Sequence, residues 1–245
     1  MNNHTIVILA FNNHTLTMNN IERLIKNGYE NNILLFDNGS SPSFTKYMKK
    51  YNISYHREEK NLLVNPAWNK VFNMVKSKYI TLLNNDCFVI SKNYFSEIIN
   101  HMEINNIILS SCKTFNVKKI SSFKLKLYEK YYNFFINKKL KFFSSARRQG
   151  WIMTINLDIY KTLDYEIPDY FKLWYGDDWI WSQVLNNNYS YAIYKNRYAI
   201  HLRNKTISNP EFKKIIDTDK ENFINNKQLF NQKVYQKSRM FNRYV

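Results

Sequence analysis

The sequence predicts an α/β protein with a mostly parallel central sheet covered by helices on both faces. Apolar runs of strand length alternate with helix-like patterns over the first hundred residues, as they do in chains that wind a parallel sheet. The run Ile80-Thr81-Leu82-Leu83 stops abruptly in Asn84-Asn85-Asp86 and turns apolar again at Cys87-Phe88-Val89. A buried strand that ends this way delivers polar groups to the carboxyl edge of the sheet, where open α/β folds bind ligands. Asp37 ends an earlier apolar run in the same manner, so two acidic residues stand at two strand ends. That pairing suits a nucleotide and a metal.

The elements follow in order. Residues 5–11 read as a buried strand, and 16–27 as a helix closed by Gly28, the residue best suited to left-handed backbone past a helix end. Residues 32–36 form a second strand that runs into Asp37-Asn38-Gly39-Ser40-Ser41, with a short helix from Pro42. A third strand covers 53–56, a helix with proline near its first turn covers 66–76, and a fourth strand covers 79–83. Between 113 and 148 the character changes: Lys and Arg, among them Lys138, Lys139, Lys141, Arg147 and Arg148, interleave with Phe and Tyr. This is either an amphipathic helix with a solvated lysine face or an arm whose cations meet phosphates or acidic sugars while its aromatics stack on bases or sugar rings. Residues 151–155 return as a strand, the chain is helical after Asp178, 191–201 form a strand, and 211–245 form a polar, basic, helical tail. The expected organisation is a domain over 1–210, made of a nucleotide half (1–112), a basic-aromatic insertion (113–148) and a catalytic half (149–210), followed by the tail.

Composition narrows the class. With 44% hydrophobic and 17% aromatic residues, the 245-residue chain has the means to bury a sizeable core and is not a disordered polymer. Its two cysteines, Cys87 and Cys112, make no disulfide framework and suit a reducing compartment. No run approaches the roughly 18 apolar residues of a membrane span, and no signal peptide is evident, so the expected location is the cytoplasm of a bacterium or of a virus-infected host cell. Lys and Arg total 36 against 19 acids, a net charge of +17. AT-rich coding bias enriches lysine, but it normally enriches glutamate with it. The imbalance therefore points to a polyanionic partner: nucleic acid, acidic glycan or an anionic membrane surface touched peripherally. No obligate protein partner is evident.

Taken together, Thr5-Ile6-Val7-Ile8-Leu9-Ala10-Phe11-Asn12-Asn13, Leu34-Leu35-Phe36-Asp37-Asn38-Gly39-Ser40-Ser41 and Leu82-Leu83-Asn84-Asn85-Asp86 resemble the family-2 glycosyltransferases of the GT-A fold. Asn61 with Ala67-Trp68-Asn69 is similar to that family's Asn-rich signature, Gly176-Asp177-Asp178-Trp179 to its acidic motif, and His201 to its late metal-binding histidine. The similarity covers roughly residues 5–90 well and 147–203 more loosely.

The resemblance implies a nucleotide-sugar site formed by Ala10, Asn12, Asp37, Asn38, Asn61, Asn69, Asn84, Asn85 and Arg203, with Asp37 accepting the imide N–H of a uracil. The rival reading of Asp37 is a turn residue bonded to its own backbone. Asp86 and His201 would hold Mn²⁺ or Mg²⁺, for which oxygen-rich coordination is apt. Asn84 stands where the family carries a first acid, and Leu62-Leu63 where a glycine is expected. Asp178 is implied as the base that deprotonates the acceptor hydroxyl, with Asp177 the runner-up; two acids at a helix start are also favourable for dipole reasons alone. With no second nucleophilic carboxylate evident, a single inverting displacement is expected. Acceptor contacts are expected from Lys138, Lys139, Lys141, Arg147, Arg148, Trp151 and Trp179. The acceptor itself stays open between DNA carrying hydroxymethylated pyrimidines, narrowly preferred, and an envelope polysaccharide or lipid-linked oligosaccharide. The non-enzyme alternative is a nucleic-acid-binding module on a degenerate GT-A fold.

Overall fold

The computed structural model describes residues 3–135, 140–143, 150–202 and 210–235. In chain order the elements are β1 (His4–Ala10), α1 (His14–Lys26), β2 (Ile33–Asn38), α2 (Thr45–Met48), β3 (Ser54–Glu58), α3 (Val64–Met74), β4 (Tyr79–Asn84), β5 (Cys87–Val89), α4 (Tyr94–Ile104), β6 (Ile107–Val117), α5 (Ser122–Phe135), β7 (Phe142–Phe143), β8 (Ile152–Asn156), α6 (Leu157–Tyr160), α7 (Gly176–Asn186), β9 (Ser190–Leu202), α8 (Pro210–Asn225) and α9 (Gln232–Tyr235).

Nine strands form one sheet in the order β3-β2-β1-β4-β8-β6-β9-β5, with β7 paired to β9. β1, β2, β3 and β4 are parallel neighbours. β8 runs against β4 and β6, while β6 and β9 are parallel. β5 and β7 run against β9, so six of the nine strands share one direction. The expected mostly parallel α/β sheet is present.

The strands form because their residues are β-branched or large and apolar and are buried on both faces: every residue of β2 is buried, as is every residue of β8. Three hydrophobic clusters result, the two larger ones on opposite faces of the sheet. The first packs α3, α7 and the C-terminal helices on the sheet through Trp68, Phe72, Trp179, Trp181 and Phe223. The second packs α1 and α4 through Ile21, Leu24, Phe95 and Ile98. Gly28 follows α1 at φ 84, as the sequence predicts.

Two differences from the sequence reading matter. β6 continues to Val117, so the first residues assigned to a basic insertion are strand, paired with β9 as far as Leu202. The C-terminal segment is built into the first core rather than trailing from it: Phe212, Ile216, Phe223, Phe230 and Val234 are all buried.

Candidate active site

The carboxyl ends of β1, β2 and β4 meet at one edge, with Ala10 beside Asp37 and Leu9 beside Asn84. Ala10 and Asp37 are fully buried there. Asp37 Oδ1 accepts the Ser40 N–H at 2.9 Å; its Oδ2 accepts the Phe44 N–H at 3.2 Å, the Tyr55 hydroxyl at 2.8 Å and Arg57 Nη1 at 2.7 Å. Burial alone would push this carboxyl up, but the hydrogen bonds from Ser40, Phe44 and Tyr55 outweigh it and hold it below the ordinary range. A carboxylate offers about four lone-pair sites, and these partners fill them. In this arrangement Asp37 builds the turn after β2, with both oxygens buried. Arg57, its partner across β3, is one-third exposed at the same edge and carries no motif by which sequence could have found it.

The asparagines expected to meet the donor also tie loops together. Asn12 donates its backbone N–H to Ser40 Oγ and accepts the Ser41 N–H on Oδ1, both at 2.9 Å. Asn38 donates to Asn61 Oδ1 at 2.9 Å and to the Leu63 carbonyl at 3.1 Å, and accepts the Leu62 N–H at 2.9 Å. Asn69 exchanges two hydrogen bonds with the backbone of Ile167, and Asn85 donates to Thr17 Oγ1 at 3.0 Å. Gly39 is required in this cluster: its φ is 77°, and a Cβ there would stand 2.4 Å from the carbonyl carbon of Lys60. Leu63, where a glycine is expected, adopts φ 69° and ψ −176°, a region nearly exclusive to glycine.

Asp86 and His201 come together, although 115 positions apart, because the first residue of β5, Cys87, pairs with His201 and the Leu202 N–H donates to the Asp86 carbonyl at 3.0 Å. Asp86 Oδ1 lies 3.5 Å from His201 Nε2. That oxygen is buried and makes no hydrogen bond among the described residues. A charged acceptor left so is costly unless something cationic completes it. The His201 ring is held in place: Nδ1 bonds Asn116 Oδ1 at 2.9 Å, which leaves Nε2 facing Asp86. Trp151 stacks on the same ring at 4.6 Å and 9°. A carboxylate oxygen and an imidazole nitrogen without competing partners are a fitting pair for Mn²⁺ or Mg²⁺. No cluster of three or more His, Cys, Asp or Glu exists among the described residues, so further ligands would come from the diphosphate and water. Asn84, whose backbone N–H donates to the Trp151 carbonyl at 3.0 Å, is half-buried at the same strand end. A cleft of about 340 Å³ opens next to Leu202, against Asn13–Leu16 at the start of α1.

Asp177 and Asp178 lie in the first turn of α7. Asp178 is 5% exposed, whereas Asp177 is half-buried, its carboxylate against Gly150, where a Cβ would meet Oδ2 at 2.7 Å. Gly176 is fixed by close approach: a Cβ would fall 2.0 Å from Asn65 Oδ1. The loop leading into α7 is clamped from α8, where Asp219, fully buried, accepts the backbone N–H groups of Lys172, Leu173 and Trp174 at 2.9, 2.7 and 2.7 Å. Asp219 sits in the segment read as a tail and has no sequence signal.

Trp151 is at the site, but Trp179 is not available to an acceptor: it is 4% exposed, packs edge-on to Phe230 and donates Nε1–H to the Asp164 carbonyl at 3.2 Å. Lys141 is exposed beside Asn196. Lys138, Lys139, Arg147, Arg148 and Arg203 lie outside the described residues. Cys87 and Cys112 are buried free thiols, and burial pushes Cys112 up to about 12.

A sheet with this strand order, a carboxylate at the end of its fourth strand and a histidine brought back beside it define a GT-A type fold. The model of the family "Glycosyl transferase family 2" matches residues 5–164, and the chain belongs to that family. Among solved structures, GalNAc-T7 with UDP, GalNAc and Mn²⁺ superimposes with a TM-score of 0.65 at 13% identity, covering 84% of this chain and 44% of that one. S. aureus TarS 1-349 in complex with UDP-GlcNAc gives 0.57 at 12% identity, covering 91% and 66%, and TarS 1-349 alone gives 0.52 at 12%, covering 82% and 58%. The chain thus spans about half the length of the first of these structures. At such identities the likeness is one of fold. No curated protein matches the chain in sequence.

Proposed function

We propose that this chain transfers a sugar from a nucleotide-sugar, first of all a UDP-sugar, to a hydroxyl of a polyanionic acceptor, with inversion and with dependence on Mn²⁺ or Mg²⁺. The observation that carries the reading is the pair of Asp86 Oδ1, buried with no hydrogen bond, and His201 Nε2, 3.5 Å apart at the carboxyl edge. The family match supports the transfer chemistry, and the UDP, UDP-GlcNAc and Mn²⁺ named for the similar structures support the donor and metal class.

Asp86 and His201 would hold the cation, which neutralises the departing diphosphate when bound. Asn116 and Trp151 fix the imidazole plane. The base is drawn from Asp177 and Asp178, with Asp178 leading by its place in the acidic motif and Asp177 the more exposed of the two. Asp219 and Asn65 hold the loop that aims this pair. One base opposite one leaving group gives a single displacement at the anomeric carbon, and hence inversion.

For the acceptor, the exposed apolar side chains of α5 favour an envelope or lipid-linked glycan over hydroxymethylated DNA, since neither a phosphate backbone nor a stacked base gains from Leu127 in solvent. No helix among the described residues is long and apolar enough to cross a membrane. The deciding experiment offers a panel of nucleotide-sugars with glycan acceptors and hydroxymethylated DNA, with and without Mn²⁺, and reads products by mass spectrometry. Sugar on a glycan, dependent on Mn²⁺, is expected. Transfer to DNA would restore the nucleic-acid acceptor, and no turnover of any nucleotide-sugar would leave a binding module.

A further inference from the structure

α5 is amphipathic twice over. One side faces the protein: Leu125 is buried, Tyr128 and Tyr132 pack with Phe88, Ile90, Ile200 and Leu202, and Glu129 pairs with Arg23 at 2.5 Å. Its opposite side carries Phe123, Leu127, Tyr131 and Phe134, which are 72%, 50%, 57% and 81% exposed. On a helix turning about 100° per residue, these four fall within roughly 80° of one another. Lys130 and Lys126 flank this stripe on one side and Lys124 on the other, all exposed.

We infer that the outer face of α5 is a docking surface for an anionic lipid membrane, on which the helix lies in the interfacial plane. Large apolar side chains at helical spacing gain from insertion at the headgroup boundary, and flanking lysines extend their stems along the apolar stripe while placing their ammonium groups among lipid phosphates. The +17 charge of the chain adds attraction to the same surface. A single-stranded nucleic acid would stack bases on the aromatics but gains nothing from Leu127 in the middle of the stripe, whereas the headgroup boundary takes aliphatic and aromatic side chains alike. A second copy packed on this face would set Lys124, Lys126 and Lys130 against their like charges. Because the inner face of α5 rests on Phe88, Ile200 and Leu202, the neighbours of Asp86 and His201, docking would hold the metal-site edge of the sheet near the lipid surface. The inference goes beyond the transferase reading and does not depend on it, because no donor or turnover enters its test.

The full-length chain is mixed with sedimentable vesicles of pure phosphatidylcholine, or with a quarter phosphatidylglycerol, at low and physiological salt. Retention on the anionic vesicles alone is expected. A Phe123→Ser, Leu127→Ser, Phe134→Ser variant should lose at least about tenfold in partition at both salt concentrations, given that each buried methylene contributes to membrane binding. A Lys124→Gln, Lys126→Gln, Lys130→Gln variant should lose most of the preference for anionic lipid and its salt dependence. Both variants change exposed positions, and unchanged melting curves confirm that they fold. Equal partition of the wild type and the apolar variant would overturn the inference. So would duplex DNA binding that survives in the apolar variant while vesicles are ignored, which would assign the face to nucleic acid.

Discussion

Asn116 holds His201 from the neighbouring parallel strand: the two are register partners in β6 and β9, and Oδ1 meets Nδ1 at 2.9 Å. If His201 is the ligand proposed above, the contact orients it, and a graded effect on metal affinity is predicted. Asp86→Ala should abolish Mn²⁺ binding, measured by the EPR signal of free Mn²⁺, and His201→Ala should weaken it less. Asn116→Ala should lower affinity by about tenfold, the low end for loss of a group that orients a ligand. Full turnover after exhaustive EDTA treatment would refute the metal role.

The acidic pair on α7 predicts a separation of binding from chemistry. Asp178→Asn should leave donor affinity nearly intact and cut transfer by at least about 10²-fold, the scale of losing a positioned general base. Asp177→Asn should cost less. The opposite order would give the base to the more exposed residue. Indifference to both changes would leave the acids as helix-dipole partners only.

Removing the clamp at Asp219 should act on stability and on chemistry together. Asp219→Ala strands the N–H groups of Lys172, Leu173 and Trp174 and is expected to cost about 2–3 kcal/mol or more, since each buried donor left unmade carries a desolvation penalty. Urea unfolding measures the cost. Transfer should fall in kcat with donor KM unchanged, because the loop aims the acids rather than the nucleotide.

Acid stability should depend on His4. It is buried at the start of β1, bonds Thr81 Oγ1 at 2.9 Å, and its pKa is pushed by burial from 6.5 down to about 3. The folded state therefore binds fewer protons than the unfolded state between these values. The contribution is fully present above pH 6.5 and is lost as pH falls towards about 3, by about 1.4 kcal/mol per unit inside the window. His4→Gln should flatten the slope of unfolding free energy between pH 6.5 and 4. An unchanged slope would mean that other groups control acid unfolding.

The backbone of Leu63 predicts a stabilising change. A leucine at φ 69° and ψ −176° carries strain of about 1–3 kcal/mol, more than the entropy that glycine costs in an unfolded chain. Leu63→Gly should raise the unfolding free energy by about 1 kcal/mol in urea titrations, and a loss of stability would show that the side chain has a packing role.

Local pattern determined what local pattern can encode. The apolar runs of β1, β2 and β4, the helices α1 and α3, the turn at Gly39 and the carboxylate at the end of β4 all follow from spacing and residue type within a few positions, and they are where the sequence placed them. The family's motifs lie in the same stretch, so the fold class and Asp86 were legible there. Sequence pattern assigned no element to α4 or to most of β6, and it split β6 from its own C-terminal half, since a strand that turns polar at Lys113 while still paired has no local signature. Tertiary structure alone decided the contacts. Nothing local shows that Tyr55 and Arg57 arrive from β3 to bond Asp37 Oδ2. Trp179 reads as a stacking platform until Phe230 covers it. Asn116 meets His201, and Asp219 the loop before α7, only through strand register and helix packing across long stretches of chain. Such contacts depend on which surfaces the sheet and helices bury against each other, and no spacing along the chain records that.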